Sequence, residues 1–160
     1  MSTLALDRLE RAIEAVSAVP DPEIPVVSIA DLGMVRAVRL AADGVVEVDL
    51  TPTYSGCPAT RLIAQEVAAA VERAGCGEPR VNLVLSPAWT TDWITPEGRA
   101  ALARYGIAPP APRGQPEGPV LCPRCGSEET EEISAFGSTP CKALWRCRSC
   151  REPFDRFKCL

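Results

Sequence analysis

Eight cysteines and no histidine set the reactive chemistry open to this chain. Without imidazole there is no Ser-His-Asp triad, no Cys-His dyad and no histidine-ligated metal. A zinc ion here must take an all-cysteine or cysteine–carboxylate cage. Six of the eight cysteines fall in the last 39 residues. Cys122-Pro123-Arg124-Cys125 and Cys147-Arg148-Ser149-Cys150 are two CxxC knuckles separated by 21 residues. A knuckle converges two thiolates on one cation while nearby backbone N–H groups donate to sulfur, and two knuckles complete a tetrahedral site. The spacing predicts structural zinc held by Cys122, Cys125, Cys147 and Cys150. An iron–sulfur cluster or a redox disulfide pair would use the same thiols. Cys141 and Cys159 lie outside the cage and read either as small buried residues or as a redox pair or second metal site. Cys76, between two glycines, reads as incidental.

A second reactive stretch is Thr51-Pro52-Thr53-Tyr54-Ser55-Gly56-Cys57-Pro58. It follows a strand pattern and precedes a helical one, with Pro58 in the first turn. Cys57 then stands at a helix N-terminus, where the dipole and unpaired N–H groups favour a thiolate. Thr51, Thr53 and Ser55 place hydroxyls beside it. The alternative is a buried helix-cap cysteine. Asp21 and Glu23 sit on a proline-flanked loop, with Asp31 further on. They could bind a hard cation or act as an acid–base pair, and are equally ordinary as loop-capping or solvated charges.

These residues must be carried by a few elements. Leu6, Leu9, Ile13 and Val16 give one apolar stripe, which predicts a helix over about 3–18 that Pro20 stops. The prolines of Asp21-Pro22-Glu23-Ile24-Pro25 force that segment to be extended. Strands at about 34–40 and 45–51, joined through Asp43-Gly44, predict a half-buried antiparallel hairpin. A helix is expected over Ala59–Ala74, with Leu62, Ile63, Val67, Ala70 and Val71 on one face. A strand over Arg80–Leu85 and a helix over Pro96–Tyr105 follow. The result is an α/β fold, a small two-layer domain over residues 1–106. Residues 107–119, with five prolines, read as a linker. Residues 120–160 form a smaller module that needs a metal staple, with Trp145, Phe154 and Phe157 packing the ribbon.

The chain has 160 residues and a formal net charge of −4. The first domain carries −5 and the last module +1. That balance opposes nucleic-acid binding by bulk charge. The tail's Lys142, Arg146, Arg148, Arg151, Arg156 and Lys158 face Glu128, Glu129, Glu131 and Glu132, which reads as a solvated, charge-balanced face. The longest charge-free run is 11 residues, short of the roughly 20 that span a bilayer. No membrane partner is expected. The charged residues Asp7, Arg8, Glu10, Arg11 and Glu14 leave no apolar leader core, so a cytoplasmic location is expected. In that compartment clustered cysteines read as metal ligands or reactive thiols.

Asp21-Pro22-Glu23-Ile24-Pro25, Asp31-Leu32-Gly33 and Thr53 with Gly56-Cys57-Pro58 resemble the signature of the SufT-like domain of iron–sulfur cluster assembly factors. The tail Cys141-Lys142-Ala143-Leu144-Trp145-Arg146-Cys147, with Cys150, Glu152-Pro153-Phe154 and Phe157-Lys158-Cys159, resembles the PaaD family, whose members accompany 1,2-phenylacetyl-CoA epoxidase. The combination covers nearly the whole chain. This resemblance implies an accessory subunit in aerobic phenylacetate degradation, without catalysis of its own. It would help assemble or maintain the iron or iron–sulfur centres of the oxygenase and reductase components, with iron–sulfur assembly proteins as further partners. Asp21, Glu23, Thr53 and Cys57 would form the SufT-like site, holding iron or a cluster transiently, beside structural zinc in the ribbon. The alternative role is a non-catalytic interaction protein that docks oxygenase components through the zinc ribbon.

Overall fold

Val46, Val48 and Leu50 are fully buried while Glu47 and Asp49 are half-buried. This period-2 alternation is what a strand with one covered face requires. The computed structural model describes residues 3–112, 115 and 118–158. Its chain divides into two compact units, Met1–Trp89 and Thr90–Leu160.

In the first unit, helix α1 (Thr3–Ser17) leads through the proline-rich loop to β1 (Val35–Leu40) and β2 (Val46–Leu50). These pair antiparallel, Val38 opposite Val48 and Leu40 opposite Val46. Gly44, at φ 80, makes the turn a side chain would strain. Helix α2 (Thr60–Arg73) then crosses over to β3 (Arg80–Leu83), which pairs parallel to β2. The expected hairpin, crossover helix and strand are all present, in the order β1-β2-β3.

The inward face of α1 differs from expectation. Ala12 and Val16 are fully buried and Leu9 is half-buried, whereas Leu6 is 44% and Ile13 42% exposed. The buried line is turned by about one residue because Ala12, with its small side chain, lies closest to the core. The bulkier Leu6 and Ile13 flank that contact. Leu62 of α2 is also exposed, at 45%, while Ile63, Val67 and Val71 are buried. At the far end of α2, Cys76 is fully buried and its thiol donates to the Arg8 carbonyl at 3.4 Å. The Arg8 guanidinium returns to the Cys76 carbonyl, so this cysteine fastens α2 to α1.

In the second unit, Thr95 caps helix α3 (Pro96–Tyr105) by accepting from the Gly98 N–H at 3.0 Å. Gly106, at φ 95, ends it. The next two residues form β4 (Ile107–Ala108), which pairs parallel with β7 (Pro153–Phe157). With β5 (Thr130–Ser134) and β6 (Lys142–Cys147), they make a four-stranded sheet in the order β4-β7-β6-β5. Ribbon and α3 therefore share one compact unit, Thr90–Leu160. The physical reason is β4: Ile107 and Ala108 are 4% and 3% exposed against the edge of β7. Arg99 also ties α3 across to the carbonyls of Thr91 and Pro110. Of the expected linker, residues 113, 114, 116 and 117 lie outside the described residues, as does Cys159.

A clamp closes the β5–β6 connection. Asp155 accepts from Ser138 Oγ at 2.8 Å and pairs with buried Lys142 at 3.2 Å. A Cβ at Gly137 would sit 2.6 Å from Asp155 Oδ1, so a side chain there would have to displace the carboxylate from its bonds to Ser138 and Lys142.

The rotated face of α1 makes a direct test. Val16→Ala should destabilise the first unit by about 2 kcal/mol in chemical denaturation. Ile13→Gln should move the same transition by less than about 0.5 kcal/mol.

Candidate functional site

Strands β2 and β3 run in the same direction, so the loops that follow them leave at one edge of the sheet. The segment entering antiparallel β1 arrives at that edge too. Hydrogen bonds knit the three together. The Thr51 N–H donates to the Met34 carbonyl at 2.8 Å, and Thr51 Oγ1 to the Val84 carbonyl at 2.7 Å. Trp89 Nε1 donates to the Leu32 carbonyl at 2.8 Å. The segment before β1, the start of the stretch after β2 and the stretch after β3 thus meet at the carboxyl end of a parallel pair, where open α/β sheets bind ligands.

Each expected residue has a definite place there. Asp21 is 7% exposed, and its Oδ1 accepts from the N–H groups of Glu23 at 2.9 Å and Ile24 at 2.8 Å. This is an Asx-type turn that holds the loop's shape. Asp31 does similar work, exchanging hydrogen bonds with Ser28 at 2.9 and 3.0 Å. Glu23, Thr53 and Cys57 are half-buried. Thr51 is 2% exposed, with its hydroxyl turned to Val84, so it anchors the loop and does not face a ligand.

Cys57 stands slightly further out than expected. Helix α2 begins at Thr60, with Ala59 as its N-cap and no side-chain cap bond. Pro58 therefore precedes the helix. The Cys57 carbonyl accepts from Thr60 Oγ1 at 2.9 Å and Thr60 N–H at 3.3 Å, closing a tight turn. Ahead of it, the Cys57 N–H donates to the Tyr54 carbonyl at 3.0 Å. The Tyr54 ring lies over Gly56, where a Cβ would meet it at 2.9 Å. Tyr54, at 47% exposure, covers the glycine before the cysteine, a contact that residue type and spacing did not single out. The signal was present: a glycine beside an aromatic in a loop permits such close approach.

The ribbon is built differently. In both knuckles the first cysteine's N–H reaches five residues ahead: Cys122 to the Ser127 carbonyl at 2.9 Å, and Cys147 to that of Glu152 at 3.0 Å. The residue after each second cysteine is left-handed, Gly126 at φ 76 and Arg151 at φ 66. The Sγ atoms of Cys122, Cys125, Cys147 and Cys150 all lie within 4.8 Å of one another. Cys122 and Cys150 are 3.7 Å apart, and Cys125 and Cys147 3.6 Å. Four sulfurs at about 2.3 Å around a tetrahedral cation stand about 3.8 Å apart, so the donor set fits a metal ion. Among the described residues it is the only group of three or more cysteines and carboxylates so gathered. Asp21, Glu23 and Cys57 do not form such a cage among the described residues. Cys141 is buried outside the ribbon's cage, its sulfur 3.0 Å from Thr139 Oγ1.

The thiols are unequal. The Cys150 N–H bonded to Cys147 sulfur at 3.5 Å leads in drawing Cys147 down to about 6. For Cys150 the Glu152 N–H pulls downward, but desolvation and the neighbouring thiols together push it up to about 12. Cys125 is drawn down by the Ser127 N–H, yet its bond to Cys147 and desolvation leave it raised.

Comparison with known proteins accords with both parts. Residues 9–83 match the family described as iron-sulfur cluster assembly protein, and residues 107–158 the PaaD zinc beta ribbon domain. The chain is 50% identical over 165 aligned positions to an Escherichia coli K12 protein named as the putative D component of 1,2-phenylacetyl-CoA epoxidase, covering 100% of this chain and 98% of that one. It is 34% identical to a Porphyromonas gingivalis Fe-S protein maturation auxiliary factor, over 64% of this chain and 97% of the relative. A solved domain of unknown function from Bacillus anthracis superposes with a TM-score of 0.55 at 26% identity, covering 61% of this chain and 92% of that one.

The raised Cys125 and Cys150 hold their protons to higher pH than Cys147 does. Cation entry must expel protons from the first two. Zinc titration at pH 7.5, in buffers of different ionisation enthalpy, should show at least two protons released. Affinity should fall as pH drops, and more steeply below about 6, where Cys147 also binds a proton.

Proposed function

The chain belongs to the PaaD family, and on that premise we propose that it is an accessory subunit of a phenylacetyl-CoA epoxidase system that matures the iron or iron–sulfur centres of its partners. The observation that supports this reading is that Cys57 is half-buried in the loop between β2 and α2, which leaves the carboxyl end of the parallel pair β2–β3. Its thiolate takes up iron or a cluster as cargo, and Glu23 lends an oxygen. Asp21 keeps the loop in shape, and Thr53 borders the thiol. One thiol and a carboxylate outside any closed cage hold cargo loosely, which suits transfer better than storage. The oxygenase and reductase components are the recipients, and iron–sulfur assembly proteins the donors. Catalysis of the epoxidation itself is not part of the role.

In the ribbon, Cys122, Cys125, Cys147 and Cys150 hold zinc. A closed four-thiolate site leaves no position for substrate, so this ion folds the module and presents its surface to partners. The Fe-S maturation relatives support the first assignment and the zinc-ribbon match the second. No helix among the described residues is long and apolar enough to cross a membrane, and a cytoplasmic location accords with the chain's thiol chemistry.

Cys57→Ala, co-expressed with the epoxidase components, should lower both iron occupancy of the oxygenase and epoxidation severalfold while leaving ribbon zinc unchanged. Unaltered iron occupancy would remove the transfer role and leave a protein that only docks its partners.

A further inference from the structure

The two knuckles match in hydrogen bonding but differ at one position. Each needs a left-handed residue after its second cysteine; the first uses glycine, the second Arg151 at φ 66. An arginine there carries strain that glycine would relieve. Such a residue persists where its side chain has a use. Yet the Arg151 guanidinium makes no hydrogen bond or ion pair among the described residues.

Its surroundings indicate that use. Arg151 lines an open depression of about 410 Å³ with Glu131, Arg146, Cys147 and Arg148. Glu131 grips Arg146 through one carboxylate oxygen and Arg148 through the other. The two guanidiniums are thereby oriented before any ligand arrives, and they remain 53% and 65% exposed. Three arginines against Glu131 in the depression and Glu129 beside Arg148 leave a small local excess of positive charge on a chain that is negative overall.

We propose that Arg146, Arg148 and Arg151 form a docking face for an acidic segment of a partner protein, whose carboxylates meet Arg151 and the Nη1 edges that Glu131 leaves open on the other two. Guanidinium planes match carboxylates in paired hydrogen bonds. The face is small, three guanidiniums around one depression, which suits a short run of carboxylates better than a long phosphate backbone. The face extends the reading of the ribbon as the module that meets partners, and it does not depend on Cys57.

The test uses the full chain loaded with zinc and a fluorescein-labelled dodecaglutamate peptide, followed by anisotropy. Binding should weaken as salt rises. Arg151→Gly, which relaxes the backbone, should lower affinity about fivefold, and Arg148→Ala should do the same. Arg124→Ala in the other knuckle, and Cys57→Ala, should bind as the parent does. All four variants should keep their zinc. A parent chain that does not bind the peptide, or an Arg151→Gly chain that binds it equally well, would overturn the proposal. So would an oligo(dT) strand that binds more tightly and is lost with the same two arginines.

Discussion

Four thiol sulfurs gathered within 4.8 Å of one another make an arrangement that a folded chain cannot sustain by packing alone. As thiolates they repel; as thiols they remove most of the polar anchoring. The second unit nevertheless uses them as its centre. Two of its ligands, Cys122 and Cys147, belong to the small buried cluster with Ala108 and Phe154, against which Val120 and Trp145 pack. A cation thus takes the place a larger apolar core would fill. From it follow the two knuckle turns, the β5–β6–β7 sheet they close, and the edge on which β4 pairs. The unequal protonation of the cysteines expresses the same constraint: Cys147 surrenders its proton readily because a backbone N–H meets its sulfur, while Cys150 holds its own.

The first unit depends on covalent connectivity, not on an ion. A crossover helix between two strands forces β2 and β3 to be parallel, and parallel strands deliver both following loops to one edge. Thr51 then fastens one loop to the other through a single hydroxyl, while Asp21 folds the neighbouring loop on itself. Cys57 owes its position to these bonds and to the turn its own carbonyl makes with Thr60.

The sequence spoke most clearly where one rule acted alone. The CxxC pairs announced the metal cage, and alternation along Val46–Leu50 announced its strand. Pro96–Tyr105 was bounded at both ends by a Thr-Pro start and a glycine stop. Legibility failed where two readings shared the same residues. Leu6 and Ile13 fit a helical stripe as well as Ala12 does, and only close packing against the core selects the alanine. β4 has two residues before the prolines begin, too few for any period to show. Asp21 could be ligand or loop cap by type, and both readings allow the local turn it makes with the N–H groups of Glu23 and Ile24, so residue type alone did not choose between them. The Thr51 hydroxyl finds its partner 33 residues away, beyond any local pattern.

The indole of Trp89 is 6% exposed and fixed to the Leu32 carbonyl, and it is the last residue of its unit. Trp93 and Trp145 belong to the other unit, Trp145 with the Arg156 guanidinium 5.1 Å from its ring centre. The three natural fluorophores are therefore divided between the two modules and sit in unlike surroundings. Light emitted from Trp89 speaks for the sheet edge that carries Cys57, and quenching at Trp145 for the metal-built ribbon, so the chain carries its own optical label for each half.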